Sequence, residues 1–397
     1  MIFATYWFLA LVIIFFPIYW FLNARLRIWA IATASVIFHF HYAGPAGVLP
    51  IILLGTLVYF LGRSPYKISY LFGISVCVLT LISYKYLIFF TTSVIGSINP
   101  HWGDYAVSAT KKVLPLSPPL AISFFTFELI HYLVDRHKGN YAIKNPLEFG
   151  LFAIFFPTLV AGPIKRYEEF LPSLHLGLKN INSRDIMHGM MQIALGYTKK
   201  IIADNLTLWI QQQQPSFYHL SLGYRWVLFA AIGFRILFDF SGYSDIAIGL
   251  TRMMGIYIPA NFNWPYFSTN IREFWHRWHI SLSTWIRDYV YIPLGGNRHG
   301  TTRRLLNGLA AFSLCGLWHG AAWNFVLWGL YHGVGLSVSN MYKKIPFGIG
   351  GFLEQLFQKI PLLSWAVTLF FVWCGWLLFF YPVSTACNMA RLLFCRS

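Results

Sequence analysis

Charge is what this chain has least of. Asp, Glu, Lys and Arg make up 11% of its 397 residues, less than half the share of an ordinary globular protein. A water-soluble fold of this length could not cover its surface with so few charges, which excludes the two or three soluble domains that length alone would allow. Carboxylates are scarcest, 13 Asp and Glu against 30 Lys and Arg. The five cysteines (Cys77, Cys315, Cys374, Cys387, Cys395) form no CxxC pair, so buried free thiols are expected rather than a disulfide framework or a zinc site. A GxSxG elbow, an HExxH helix, a Walker lysine loop and an Asp-rich metal cluster are all missing. No metal site is expected.

What the chain does have is apolar mass, 57% hydrophobic and 19% aromatic residues. Lipid, not water, must solvate most of it. The net charge of +17 does not point to nucleic acid, because the basic residues are not gathered on one polar domain. They fall in short clusters between apolar runs, among them Arg25 with Arg27, Arg63 with Lys67, Arg136 to Lys138, and Arg303 with Arg304. That distribution fixes topology and touches anionic headgroups.

A helix needs about 20 apolar residues to cross a bilayer. Residues 1–22 qualify and are too long and aromatic for a signal-peptide core, so they are expected as a retained first span. Their lack of charged side chains places the N-terminus outside, and residues 23–27 in the cytoplasm. Spans at 28–44 and 46–62 form a hairpin turned at Gly44-Pro45. A span at 69–96, a polar extracytoplasmic loop at 97–116 and a span at 118–134 follow. Further on, 147–164 is apolar, 186–205 has an interfacial face, and 224–240 ends in the polar run Asp239, Ser241, Tyr243, Ser244, Asp245. Residues 262–300 hold no clean apolar stretch and predict short or re-entrant helices shielded by protein. Segments 305–320, 322–340 and 362–381 complete an all-α polytopic membrane protein of about ten to eleven spans. With no repeat or linker it reads as one domain, 1–397, with N-terminal spans at 1–117, a core at 118–340 and C-terminal spans at 341–397.

Polar residues inside apolar segments are costly, so each needs a reason. In Phe-Trp-His-Arg-Trp-His-Ile-Ser-Leu-Ser-Thr-Trp-Ile-Arg-Asp-Tyr (274–289), a helix would put His276, Ser283 and Arg287 on one side, with His279 three residues beyond His276. In Gly-Leu-Trp-His-Gly-Ala-Ala-Trp-Asn (316–324), small residues frame His319 and admit a ligand or another backbone. Trp318 and Asn324 lie in the same stretch. Histidine suits proton removal near neutral pH. His131 and His332 read equally well as packing residues, and Glu128, His131 and Asp135 as a structural polar seam or a proton relay. A transporter, the rival class, predicts inverted repeats, which are not visible.

These stretches strongly resemble the membrane-bound O-acyltransferase family, and its alginate O-acetyltransferase branch above all. The resemblance rests on 274–298, ending in Leu-Gly-Gly-Asn-Arg, and on Gly-Leu-Trp-His-Gly-Ala (316–321). Ile-Ser-Phe-Phe-Thr-Phe (122–127), Phe-Pro-Thr-Leu-Val-Ala-Gly-Pro-Ile (156–164), Phe-Asp-Phe-Ser-Gly-Tyr-Ser-Asp-Ile-Ala-Ile-Gly-Leu (238–250) and Asn-Phe-Asn-Trp-Pro-Tyr (261–266) support it. The D-alanyl transfer protein of teichoic acid assembly shares several of these motifs.

The resemblance implies a bowl of tilted helices around a tunnel. His319 would be the catalytic base at its narrowest point, and His279 the second functional histidine, orienting the acyl group or steadying the oxyanion. His276, Ser283, Arg287, Trp318, Asn324, Tyr243 and Asp245 are the expected supporting or substrate-binding residues. The implied reaction passes an acyl group, acetyl first, from a cytoplasmic thioester (acetyl-coenzyme A or an acyl carrier protein) across the inner membrane. Its acceptor is an extracytoplasmic polysaccharide or a periplasmic or extracellular partner transferase. D-alanyl transfer to teichoic acid is the alternative. No bound cofactor is expected, and Arg303 and Arg304 are candidates to attract the donor's phosphates.

Overall fold

In the computed structural model, which describes residues 2–113 and 119–395, every regular element is a helix. The last residues of the expected loop at 97–116, residue 118 and the C-terminal Ser397 lie outside the described residues. Contacts divide the chain into two compact units, Met1–Gly196 with Tyr243–Pro259, and Tyr197–Gly242 with Ala260–Ser397.

The first unit starts with α1 (Tyr6–Phe21), capped by the Thr5 hydroxyl, which accepts from the Phe8 N–H at 3.2 Å. Its buried face carries Phe15, Phe16 and Tyr19. The Tyr19 hydroxyl and the Trp20 indole donate to the Met254 and Met253 carbonyls at 3.1 and 3.0 Å, and Arg27 donates to the carbonyls of Tyr19, Trp20 and Leu178. In α2 (Ala24–Leu61) the backbone breaks at Gly44, φ +64°, with Pro45 next, so the run divides where the Gly-Pro pair predicts. An unbroken 38-residue helix would reach about 57 Å, far beyond a hydrocarbon core of about 30 Å.

The next span, Lys67–Ile98, opens with α3 (Lys67–Leu81) and continues through two π-helical stretches, Ile82–Tyr86 and Phe90–Ile95. Lys85 in the first of these donates to the Ser123 hydroxyl at 2.9 Å. Much of the expected polar loop is in fact helix, α4 (Pro100–Val113). The apolar run at 147–164 is not one span either. Its helix, α6 (Pro146–Ile154), stops after nine residues where Phe155 turns extended, and the chain continues irregularly through Gly162-Pro163.

Between these, α5 (Ile122–His137) is buried on nearly every face. Glu128 on this helix receives both carboxylate hydrogen bonds from Lys165, at 2.7 and 2.8 Å, and Asp135 pairs with Lys138 at 3.5 Å. Both carboxylates of the seam are thus ion-paired. Glycines then let α7 (Tyr167–Lys179) and α8 (Ser183–Gln213) pack tightly on the 243–259 segment. A Cβ at Gly177 or Gly189 would sit 2.6 Å from the carbonyl oxygen of Gly255 or Gly249.

In α9 (Leu222–Met253) the residues up to Gly242 belong to the second unit, where Arg225 is fully buried. Among the described residues no carboxylate meets it. Its guanidinium donates to the carbonyls of Phe217, Tyr218, Leu392 and Cys395, which absorb the charge. Residues 262–300 hold two seven-residue helices, α10 (Ile271–Arg277) and α11 (Ile280–Ile286), and a π-helical turn, Arg287–Tyr291, in place of a straight span.

An antiparallel pair follows, α12 (Gly300–His319) and α13 (Trp323–Met341). These helices pack backbone to backbone. A Cβ on Gly316 would overlap the Phe325 carbonyl, and one on Gly329 the Phe312 carbonyl. Beyond α14 (Ile349–Lys359), α15 (Pro361–Phe380) contributes Trp376, which with Trp328 forms the largest buried pair of this unit. The short α16 (Val383–Leu392) ends the chain's regular structure.

Among the described residues, four helices are long and apolar enough to cross a membrane on length and composition, namely Ala24–Leu61, Lys67–Ile98, Leu222–Met253 and Pro361–Phe380. Of the cysteines, Cys77 and Cys315 are buried as expected, Cys374 is half-buried, and Cys387 and Cys395 are exposed.

Candidate functional site

The second unit brings its two leading histidines together. His319 is the last residue of α12, half-buried, where the Gly320 backbone turns extended. Three rings meet its imidazole edge-on, those of Trp318, Trp328 and Phe379, at centroid distances of 4.9, 5.2 and 5.1 Å. His279 is buried and also borders Trp318, at 6.0 Å. The two imidazoles are near enough to interact electrostatically.

Backbone strain marks His279. The run 274–289 is not the single helix that would align His276, Ser283 and Arg287, because α10 ends at Arg277 and His279 adopts φ +41° to cap α11. A left-handed conformation in a histidine costs energy and persists only where the surroundings impose it. Here Asn261 imposes it. Its backbone carbonyl accepts from the Ile280 N–H at 2.9 Å, and its side-chain oxygen accepts from the Ser281 N–H and hydroxyl at 3.2 and 2.7 Å.

The same Asn261 oxygen lies 3.4 Å from His279 Nδ1. An acceptor oxygen fixes the tautomer, with Nδ1 donating, as assigned from this network. Nε2 of the neutral ring then carries a lone pair. It is buried and has no hydrogen-bond partner among the described residues. With Nδ1 turned to Asn261, the neutral ring presents an acceptor at Nε2. Asn261 itself was quoted only as part of a motif. Its side-chain role has no sequence signal, since its partners lie 18 to 20 positions away.

A cavity of about 450 Å³ lies among α10, α11, α12 and α13, with neither His279 nor His319 in its wall. Along α12 its wall is Arg304, Gly308, Ala311 and Cys315, spaced four, three and four residues apart as one helix face requires. His319 lies one turn beyond Cys315, and His279 immediately precedes Ile280, another wall residue. Thus His276, Ser283 and Arg287 do share a site, although the broken helix, not a continuous one, delivers them. Arg272 lines the wall with Asn340, to which it is hydrogen-bonded, and sequence reasoning missed both. Arg304 lines it too, while Arg303 is exposed and does not.

The remaining expected residues have other surroundings. Asn324 donates to the Leu378 and Phe379 carbonyls at 3.4 and 3.3 Å, bracing α13 on α15. Tyr243 stacks on Phe3 at 4.3 Å and Asp245 accepts from Gln192 at 3.4 Å, both within the first unit. His332 is buried and enclosed by rings, with those of Trp275 and Trp328 at 5.1 and 4.9 Å. Among the described residues no group of three or more His, Cys, Asp or Glu side chains is placed to hold a metal.

Comparison with known proteins adds relatives to this geometry. The chain is 35% identical over 323 residues to a peptidoglycan O-acetyltransferase of Helicobacter pylori, covering 75% of this chain and 58% of that protein. It is 36% identical over 311 residues to a protein of Pseudomonas putida named Probable alginate O-acetylase AlgI, covering 78% and 61%. With a teichoic acid D-alanyltransferase of Bacillus subtilis it shares 31% over 271 residues, covering 64% and 69%. The chain thus spans about three fifths of the length of the first two relatives. The sequence model of the MBOAT, membrane-bound O-acyltransferase family, matches residues 86–384. Three quarters of the chain, both histidines included, fall in that match, and the chain belongs to the membrane-bound O-acyltransferase family.

Proposed function

We propose that this protein transfers a short acyl group, acetyl first, from a thioester to a hydroxyl of an extracytoplasmic cell-envelope polysaccharide or to a partner transferase that serves one. The observation carrying this is the pairing of His279 with His319, in the same unit as a cavity lined by Arg272, Arg287 and Arg304. The thioester enters that cavity from the cytoplasmic side of the inner membrane and the hydroxyl arrives from the other, with the N-terminus outside. No resident cofactor takes part, and the donor, coenzyme A or a carrier protein, is a substrate.

The chemistry needs a base, because an alcohol attacks a thioester slowly until its proton has somewhere to go. His319 takes the proton as the oxygen bonds to the carbonyl carbon. When the tetrahedral intermediate collapses, the carbon–sulfur bond breaks and the imidazolium returns the proton to the thiolate, giving an ester and a free thiol. His279, its ring held by Asn261, packs beside the acyl group and positions it for the attack. D-alanyl transfer to teichoic acid is the second reading, favoured by the Bacillus relative's name.

The test offers the purified protein radiolabelled acetyl-coenzyme A or a D-alanyl-loaded carrier together with envelope polymer. Label moving onto polymer, peptide partner or protein supports acyl transfer. Intact thioester in both arms refutes it.

A further inference from the structure

Three arginines lie along α9, and two of them are satisfied. Arg225 is absorbed by four carbonyls, and Arg252 pairs with Asp185 at 3.4 Å. Arg235, half-buried in the middle of the same apolar helix, meets no carboxylate among the described residues. Its Nε donates to the Thr207 hydroxyl at 3.0 Å, and its guanidinium carbon stands 4.5 Å from the centroid of the Phe380 ring. Asp239, one helical turn further on, is the natural partner for it. That carboxylate instead accepts from Lys200 at 2.7 Å, and Lys200 holds Asp204 as well. The two Nη groups of Arg235 are thus left open. An ionisable side chain in an apolar span is costly, and one without a local counter-charge marks a functional position.

A short run of rings leads from this arginine to His319. Phe380 neighbours Phe379 at 5.3 Å between centroids, and Phe379 meets the His319 ring at 5.1 Å. With the 4.5 Å step to Arg235, these contacts cap the separation of imidazole and guanidinium at about 15 Å. The arginine and the cavity lie on different sides of His319. The cavity uses α12 only as far as Cys315 and α13 only from Gly333 onward. The end of α15 that carries Phe379 is tied to Asn324, in the first turn of α13. If the thioester comes through the cavity, the hydroxyl comes from the side where Arg235 stands. An open guanidinium fork matches a carboxylate in two parallel hydrogen bonds.

We propose that Arg235 is an acceptor-recognition residue: it binds a carboxylate of the glycan whose hydroxyl is acylated at His319, and so selects an acidic saccharide over a neutral one. This rests on the acyl-transfer reading above and deepens it by naming the acceptor's chemistry. The carboxylate belongs either to a uronic acid ring or to a lactyl ether on an amino sugar. A short oligosaccharide spans the distance from guanidinium to imidazole with its charge on Arg235 and a free hydroxyl at His319. The carboxylate itself does not react. In the transfer step the hydroxyl oxygen bonds to the acyl carbon, the carbon–sulfur bond breaks, and the alcohol proton ends on the thiol.

Matched acceptors test this with the full chain in detergent. Label is followed from acetyl-coenzyme A or an acetyl-loaded carrier onto a uronate oligosaccharide and onto a muramic-acid oligosaccharide. Each is also offered as its carboxamide, which keeps the hydroxyls and loses the charge. One carboxylate form should exceed its carboxamide by about tenfold or more in kcat/KM, as a charge-assisted hydrogen bond predicts. The pair that responds identifies the source of the carboxylate. In Arg235→Gln that ratio should fall to about one, and Arg235→Lys, which keeps the charge but not the fork, should retain part of it. Both acceptors meet the same protein sample, so a poorer yield of folded variant leaves the ratio unmoved. Equal use of carboxylate and carboxamide, a ratio that survives Arg235→Gln, or thiol release with no label on either glycan overturns this role and leaves thioester use standing. Intact thioester with every acceptor overturns both.

Discussion

Replacing His319 by alanine separates chemistry from packing. The imidazole is half-buried with three edge-on ring neighbours. Such contacts are worth about 0.5–1.5 kcal/mol each when both rings are well buried. A half-exposed ring realises the lower part of that range, so the folded state should lose about 1–2 kcal/mol. The melting temperature should fall by only a few degrees (about 2–4 °C per kcal/mol for chains of 150–250 residues). The reaction should lose far more. General-base catalysis contributes roughly 10²–10⁴-fold, or about 3–5 kcal/mol of barrier. The assay pairs specific activity with thermal unfolding in detergent for His319→Ala and His279→Ala. The prediction is a near-silent but folded His319→Ala protein, with His279→Ala equally impaired if the two act as a unit and less so if His279 only orients. More than about a tenth of wild-type turnover in folded His319→Ala protein would fall below the least contribution a general base makes, and would refute the assignment.

Asn261→Leu should release both His279 and the start of α11, costing about 1–3 kcal/mol for the unpaired Ser281 groups; a melting curve within 0.5 kcal/mol of wild type would contradict the hub role of this side chain. Gly316→Ala should fail to assemble the α12–α13 pair, since its methyl meets the Phe325 carbonyl, and a wild-type yield of folded protein in detergent would speak against so close an approach. Lys165→Met alone should cost about 3–5 kcal/mol by stranding Glu128, whereas the Glu128→Leu/Lys165→Met double variant should regain most of it; equal losses in single and double variants would show that the pair is not coupled. A single cysteine placed at Lys138, which is exposed, should resist labelling from the periplasmic side of intact cells, and ready labelling there would reverse the proposed orientation.

Much of this molecule was legible in one dimension. Scarce charge and long apolar runs settle that lipid is the solvent, and the Gly44-Pro45 pair marks the break in α2. The polar, interrupted composition of 262–300 foretold short helices there. Less legible were lengths and ends. Apolar content at 147–164 suggested a span, but hydropathy does not register that the backbone leaves the helix at Phe155. Polarity at 97–116 suggested a loop, whereas an amphipathic helix such as α4 has the same mean polarity.

At the site, His319 and His279 stood out by themselves, since a histidine in an apolar segment is costly and these two lie in the stretches that carry the family resemblance. Composition thus determined the membrane class, and the motif resemblance singled out the family and the two imidazoles. Only the tertiary structure decided that a strained backbone at His279 is held by Asn261, which atom of that ring is left with a lone pair, and that Arg272, His276 and Arg304 face one cavity. The reason is physical. Hydropathy and helical period act between near neighbours along the chain. A tautomer and a pocket's charge depend on groups that are distant in sequence and adjacent only after the helices have packed.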